Sequence, residues 1–247
     1  MEPVRILRSE GVEPVVFYAN SNIHPAEEYA RRLATLREWA AGADLEVVEG
    51  AYDPREWEAT VGHIGDAAEA KYGVITDEEG DFEGEVSPTR AAREARCRAC
   101  YRLRFEEAAR YAREHGYSAL GTTLSVSPYQ YTRIIREELQ RACAREGIEA
   151  RFADYRPFYD EATRRSREGG MYRQNYCGCR FSDAEAAAER EERRAARRAA
   201  REAELAAHAD ERAAAEAERA RTRAEKQAYA DKQAKKRAIL KALREQQ

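Results

Sequence analysis

The 247-residue sequence has no run approaching the roughly 18 consecutive apolar residues of a membrane-spanning helix, so no spanning segment is expected. Its opening, Met1-Glu2-Pro3, lacks the charged-then-apolar build of a secretory leader, and the expected compartment is the cytoplasm. Cysteine is scarce: five residues are an odd number and too few for a disulfide scaffold. With a net charge of -3, neither sign is in large excess, so total charge argues neither for nor against a nucleic-acid partner. The nucleotide P-loop, the dinucleotide G-x-G-x-x-G and the metalloprotease H-E-x-x-H are all absent. Histidine is also rare. His24 lies at a candidate ligand edge, whereas His63, His115 and His208 fall in helical contexts that exposure or capping explains.

What is present is cysteine in pairs. Four of the five thiols fall into Cys97/Cys100 and Cys177/Cys179, a usage that in a reducing compartment points to metal or redox chemistry. The run Arg96-Cys97-Arg98-Ala99-Cys100-Tyr101-Arg102-Leu103-Arg104 spaces two thiols so that on a helix they share a face and can hold one metal centre. Arg96, Arg98, Arg102 and Arg104 are expected to favour the thiolate, the form that binds metal. A structural zinc, or thiols merely packed at a helix surface, are the plainer alternatives. Phe105, Ala109 and Ala112 continue this helix at a spacing that reads as core.

The second pair lies in Tyr172-Arg173-Gln174-Asn175-Tyr176-Cys177-Gly178-Cys179-Arg180-Phe181-Ser182, where only Gly178 separates the thiols. A disulfide closing so small a ring is strained and easily reduced, which suits an electron relay; a shared metal is the alternative. Cys143, within Arg141-Ala142-Cys143-Ala144, occupies an ordinary helix position and is read as inert.

Along residues 1–182 short apolar runs alternate with amphipathic helical stretches. That pattern predicts an α/β fold, a Rossmann-like parallel sheet flanked by helices. Strands are expected over 14–18, 45–48, 119–124 and 148–152, and helices over 25–40, 54–72, 88–115, 129–145 and 159–168, several with proline at the start. Residues 4–10 read as a helix, although a doubly wound sheet normally opens with a strand. Two loops follow strands and open helices, at the edge where open α/β sheets bind ligands. One holds Asn20 and Asn22, which can bind a base or sugar, or cap a helix and shape a turn. In the other, Thr122, Thr123, Ser125 and Ser127 precede a helix N-terminus suited to a phosphate or nucleoside.

Residues 183–247 change character to Ala, Arg, Glu, Lys and Gln, with large apolar residues only at Leu205, Tyr229, Ile239, Leu240 and Leu243. Strong helix formers predict a single long helix of up to roughly 90 Å, at about 1.5 Å per residue, without an a/d seam for a coiled-coil partner. It reads as solvated. Its last part, with Lys226, Lys232, Lys235, Lys236, Arg237, Lys241 and Arg244, is basic enough to touch RNA phosphates.

Taken together, the Tyr18-to-Pro25 loop with Glu28-Tyr29, Tyr52-Asp53-Pro54, the Cys97/Cys100 helix, the Thr122-to-Tyr129 stretch and the Tyr172-to-Ser182 motif closely resemble the QueH epoxyqueuosine reductases. The resemblance covers about residues 1–182, and Tyr172-Arg173-Gln174-Asn175-Tyr176-Cys177-Gly178-Cys179 is its most specific element. It implies an iron-sulfur oxidoreductase that reduces the epoxide of epoxyqueuosine, at the wobble position of tRNA, to the cyclopentene of queuosine, the last step of that modification. It also implies that Cys97 and Cys100 are two ligands of a 4Fe-4S cluster, with an additional iron as a further expectation, and that Cys177 and Cys179 are a redox-active pair. Asn20, Asn22, Thr122, Thr123, Ser125 and Ser127 are then expected around the nucleoside, flipped out of its stack. The implied partners are tRNA carrying epoxyqueuosine and an electron donor of unknown identity.

The sequence departs from the family at its start. Members open with a strand leading into Cys-Cys-x-Pro-Cys-Ser, whereas Met1-Glu2-Pro3-Val4-Arg5-Ile6-Leu7 resembles the helix that follows it. The expectation is an internal methionine taken as the start, the alternative a shortened relative without the cluster. A missing strand predicts a gap in the central sheet and an inactive chain as written. From another functional class, a noncatalytic tRNA-binding or zinc-stabilised module is the rival reading.

Overall fold

The computed structural model describes residues 1–73 and 88–245, and its chain divides into two compact units, residues 1–190 and 191–247. The chain runs through α1 (Glu2–Ser9), β1 (Val16–Tyr18), α2 (Ala26–Gly42), β2 (Val47–Glu49) and a short α3 (Pro54–Trp57). A π-helical turn (Glu58–Gly62) leads into α4 (His63–Tyr72), followed by α5 (Pro88–Glu114) and β3 (Ala119–Gly121). Then come α6 (Thr132–Glu146), β4 (Glu149–Arg151), α7 (Tyr159–Glu168) and α8 (Ser182–Glu245), with 3-10 turns at Leu124–Val126 and Arg156–Phe158.

Local chemistry sets the ends of these elements. Asp53 caps α3, its carboxylate accepting from the amides of Arg55 (2.9 Å) and Glu56 (3.1 Å), with Pro54 in the first turn where no donor is needed. Gly147 ends α6 at φ +69°, a left-handed conformation open to glycine, and the chain turns so that the Ile148 amide donates back to the Cys143 carbonyl at 3.1 Å.

The α/β class holds, but among the described residues the strands form two two-stranded parallel sheets rather than one continuous sheet. In one, Val16, Phe17 and Tyr18 face Val47, Val48 and Glu49; in the other, Ala119, Leu120 and Gly121 face Glu149, Ala150 and Arg151. The strands are also shorter than their apolar runs. Ile148 is drawn into the last turn of α6, and Leu124 opens a 3-10 turn, its amide donating to Thr122 Oγ1. The expected helix over 54–72 is interrupted by the π-helical turn; Val61 within it and Trp57 just before it are both fully buried.

The largest core cluster joins α5 to α6. Tyr101, Phe105 and Ala109 of α5 recur every four residues and pack on Ile134, Ile135, Leu139, Ala142 and Cys143 of α6, with Leu120 and Ala150 of the β3-β4 sheet against them. Cys143, which the sequence reads as inert, is buried in this cluster. A second cluster brings Val4 of α1 onto Ala40 and Leu45, under Val16 and Val47 of the other sheet. In the second unit, Leu205 and Tyr229 are exposed, consistent with a solvated helix; the side chains of Ile239, Leu240, Lys241, Leu243 and Arg244 lie outside the described residues.

Candidate active site

Long stretches of sequence separate the two cysteine pairs, and the fold closes that distance. Cys97 and Cys100 lie on one face of α5, Cys177 and Cys179 lie on the loop leading into α8, and all four line one small cavity. Cys100 and Cys179 share a buried cluster with Trp57, Val61 and Phe181. The five cysteines are free thiols.

Three devices hold the Cys177-Gly178-Cys179 loop. Arg32 of α2 donates to the Cys177 carbonyl (2.8 Å) and to the Tyr176 carbonyl (3.4 Å), and its guanidinium lies over the Tyr176 ring at 4.9 Å. Glu28 orients Arg32 through a buried 2.7 Å hydrogen bond and also accepts from the Tyr172 hydroxyl. The His24 amide donates to the Gly178 carbonyl at 2.8 Å, while Ser182 Oγ accepts from the Gly178 amide at 3.0 Å and donates to the Cys179 carbonyl. Gly178 itself sits at φ +118°, and a Cβ there would come within 2.9 Å of both Arg32 Nη1 and Ile23 Cγ1. The glycine is therefore required for close packing as well as for backbone freedom.

A buried ion-pair network joins α5 to the start of α8. Arg96 donates to Glu185 at 2.6 to 2.8 Å, Arg93 reaches Glu185 (3.3 Å) and Glu189 (2.5 Å), and the Arg96 guanidinium covers the Phe181 ring at 4.7 Å. Arg96 Nη1 is buried without a hydrogen-bond partner. A donor left unsatisfied in this way is costly, and an anionic group in the cavity would offset that cost.

The expectation that flanking arginines make the thiols acidic is corrected here. Burial pushes Cys97, Cys100 and Cys179 up, and the arginines only partly counter it: Arg96 and Arg93 at Cys97, Arg104 at Cys100, and Arg96 at Cys179. Arg98 and Arg102 point elsewhere, pairing with the fully buried Glu138 at 2.7 and 3.1 Å. Among the described residues, no group of three or more His, Cys, Asp and Glu side chains is arranged as a ready metal site.

The Asn loop connects to the thiols through one side chain. Arg104 donates to Asn20 Oδ1 and to the Ala19 carbonyl, both at 2.6 Å, and also draws down the Cys100 thiol. Asn22 is buried with both its amide nitrogen and its amide oxygen unpartnered. The second loop is arranged differently. Ser125 is fully buried and donates to the Ala153 carbonyl at 2.7 Å, Thr122 accepts from the Leu124 amide, Ser127 accepts from the Tyr129 amide, and Thr123 is exposed. None of these four lines the cavity, whereas the residues just beyond them, Tyr129, Gln130 and Tyr131, do. Sequence reasoning missed those three, along with Trp57, whose indole donates to Cys100 Sγ at 3.4 Å. The available signal was a Tyr-Gln-Tyr run directly after Pro128 at a helix entry.

A thiol-lined, arginine-flanked cavity in an α/β fold defines a candidate redox or metal enzyme. A family model described as epoxyqueuosine reductase QueH matches residues 1–185. The epoxyqueuosine reductase QueH of Thermotoga maritima is 30% identical over 171 residues, which span 67% of this chain and 77% of that one. Its counterpart in Dehalococcoides mccartyi is 26% identical over 179 residues, 72% of this chain and 83% of the relative. For Staphylococcus aureus the figures are 27% over 176 residues, 68% and 64%, so the chain spans just under two thirds of that relative. The chain belongs to the QueH family.

Proposed function

We propose that this chain reduces epoxyqueuosine to queuosine at the wobble position of tRNA. The epoxide oxygen leaves as water, the ring carbons become an alkene, and two electrons and two protons are consumed. The observation that carries the reading is the convergence of Cys97, Cys100, Cys177 and Cys179 on one cavity in a member of this family. The rival, a noncatalytic tRNA-binding or zinc-stabilised module, is not favoured by that membership.

In this reading Cys97 and Cys100 are two of the thiolates that hold a 4Fe-4S cluster, with an additional iron as a further element. When bound, that group supplies low-potential electrons and a Lewis-acid iron. Soft thiol donors and the unsatisfied Arg96 Nη1 suit an anionic thiolate-ligated group. The cavity these thiols line is about 30 Å3 in volume. Cys177 and Cys179 act as the redox-active pair, held by Arg32 and Ser182. Asn22, with an unengaged amide donor and acceptor, and Asn20 present polar atoms for the nucleoside, and Thr122, Thr123, Ser125 and Ser127 shape the loop that delivers Tyr129 to Tyr131 to the cavity.

The test is anaerobic purification of the full gene product, measurement of its iron and sulfide, and incubation with epoxyqueuosine-containing tRNA and a chemical reductant. The expected result is loss of one oxygen from the modified nucleoside by mass spectrometry. Serine at Cys97 and Cys100 is expected to remove iron and turnover together, whereas serine at Cys177 and Cys179 removes turnover and leaves iron bound. Zinc without iron in the wild type, or full turnover in the Cys177→Ser/Cys179→Ser variant, would sink the corresponding assignment.

A further inference from the structure

The second unit carries a charge pattern that the family match, ending at residue 185, does not reach. Arg193-Arg194-Ala195-Ala196-Arg197-Arg198-Ala199-Ala200-Arg201 holds five arginines and no acidic residue, and the whole stretch is helical and exposed. At 3.6 residues per turn the five guanidinium-bearing positions fall within an arc of about 140°. They form two rows, 193-197-201 and 194-198, with rungs about 6 Å apart.

A helix maintained only by its own ion pairs would alternate signs along such rows. Here like charges stand four apart, an arrangement that destabilises an isolated helix. Glu191, at one flank, reaches Arg198 (3.1 Å) and Arg194 (3.8 Å). Arg197 and Arg201 have no acidic partner among the described residues. The fork of arginine matches phosphate oxygens bidentately, and a regular polyanion relieves the repulsion along both rows.

We propose that this arginine face is a docking surface for the phosphate backbone of RNA, which rests on the reading that tRNA is the substrate. The residues between the arginines are all alanine, so no aromatic ring is offered for base stacking, and the recognition is of backbone rather than sequence. A membrane surface is a poorer match, because an interfacial helix presents Trp, Phe or Leu opposite its basic face and this segment has none.

The experiment is fluorescence anisotropy of the 247-residue chain with an unmodified tRNA transcript over a series of potassium chloride concentrations. Because the transcript carries no epoxide, the result stands apart from reductase activity, which the nucleoside assay reads. Replacing all five arginines with glutamine is expected to weaken binding at least tenfold at low salt. It is also expected to flatten the slope of log affinity against log salt by roughly 0.7–0.9 for each phosphate that is no longer neutralised. The matching lysine variant, which keeps charge, should retain most of the slope, and circular dichroism of both variants checks that the helix persists. An unchanged slope in the glutamine variant overturns the proposal. So does a lysine variant as impaired as the glutamine one, or arginine-dependent binding to phosphatidylserine vesicles without binding to RNA.

Discussion

Arg32 donates to the backbone carbonyl of Cys177 at 2.8 Å, joining two residues 145 positions apart in the chain. The same guanidinium is locked by Glu28 and stacked on Tyr176, so the loop carrying the second thiol pair is pinned to α2 by one side chain. Position of the thiols thus depends on a residue with no redox chemistry of its own.

Lysine cannot reproduce this fork and stack. Arg32→Lys is expected to lower stability by about 1–3 kcal/mol in urea unfolding, because it leaves the Cys177 carbonyl unpaired and Glu28 with a weaker partner. It is also expected to raise the alkylation rate of Cys177, read by mass spectrometry. If neither changes, the loop is held by its other contacts.

Gly178→Ala combines a positive φ with two contacts of 2.9 Å, one to the Ile23 side chain and one to Arg32. The expected loss is about 2 kcal/mol or more, together with reduced burial of Cys179. Gly169→Ala is the comparison. It has an ordinary φ of -79° and no neighbour nearer than 3.4 Å, and it is expected to stay within about 0.5 kcal/mol of wild type.

Glu138 gives a pH dependence of definite sign. Burial alone would raise its pKa, but Arg102, Arg98 and Arg141 outweigh that and hold the carboxyl below its ordinary 4.5. A lowered folded-state value contributes stability that is complete above the unfolded value and fades as pH falls through the folded one. Glu138→Gln is therefore expected to be less stable than wild type by about 2 kcal/mol at pH 7, with the two curves converging on acidification below about pH 4. Parallel curves across that range would show that Glu138 is not the titrating group.

Leu139→Ala removes a fully buried side chain between α5 and α6, and a loss of about 3 kcal/mol is expected. Leu205→Ala, in the second unit where the leucine is 60% exposed, should change the unfolding midpoint little. Equal effects would contradict the division between a packed unit and a solvated helix.

Much of this was legible in the order of residues. The helices from α1 to α8 begin or end within a few residues of their proline, glycine and composition signals, because a helix is specified by contacts within its own turns. The strands were located but overextended, since their ends depend on which partner takes each amide, as at Ile148. The arginines around Cys97 were misjudged for the same reason. Sequence places Arg98 and Arg102 beside the thiols, but only the packing of α6 reveals Glu138 as their partner.

By itself, then, the sequence determined the element types, the pairing of thiols within each motif and the resemblance to a family, all of which reside in local spacing. Tertiary structure alone decided that Cys97 and Cys100 meet Cys177 and Cys179, and that Tyr129 to Tyr131 rather than the preceding hydroxyls reach the cavity. It also decided that burial outweighs neighbouring charge at the thiols. Those outcomes turn on desolvation and on contacts between distant segments, and neither quantity is written in the order of residues along one stretch of chain.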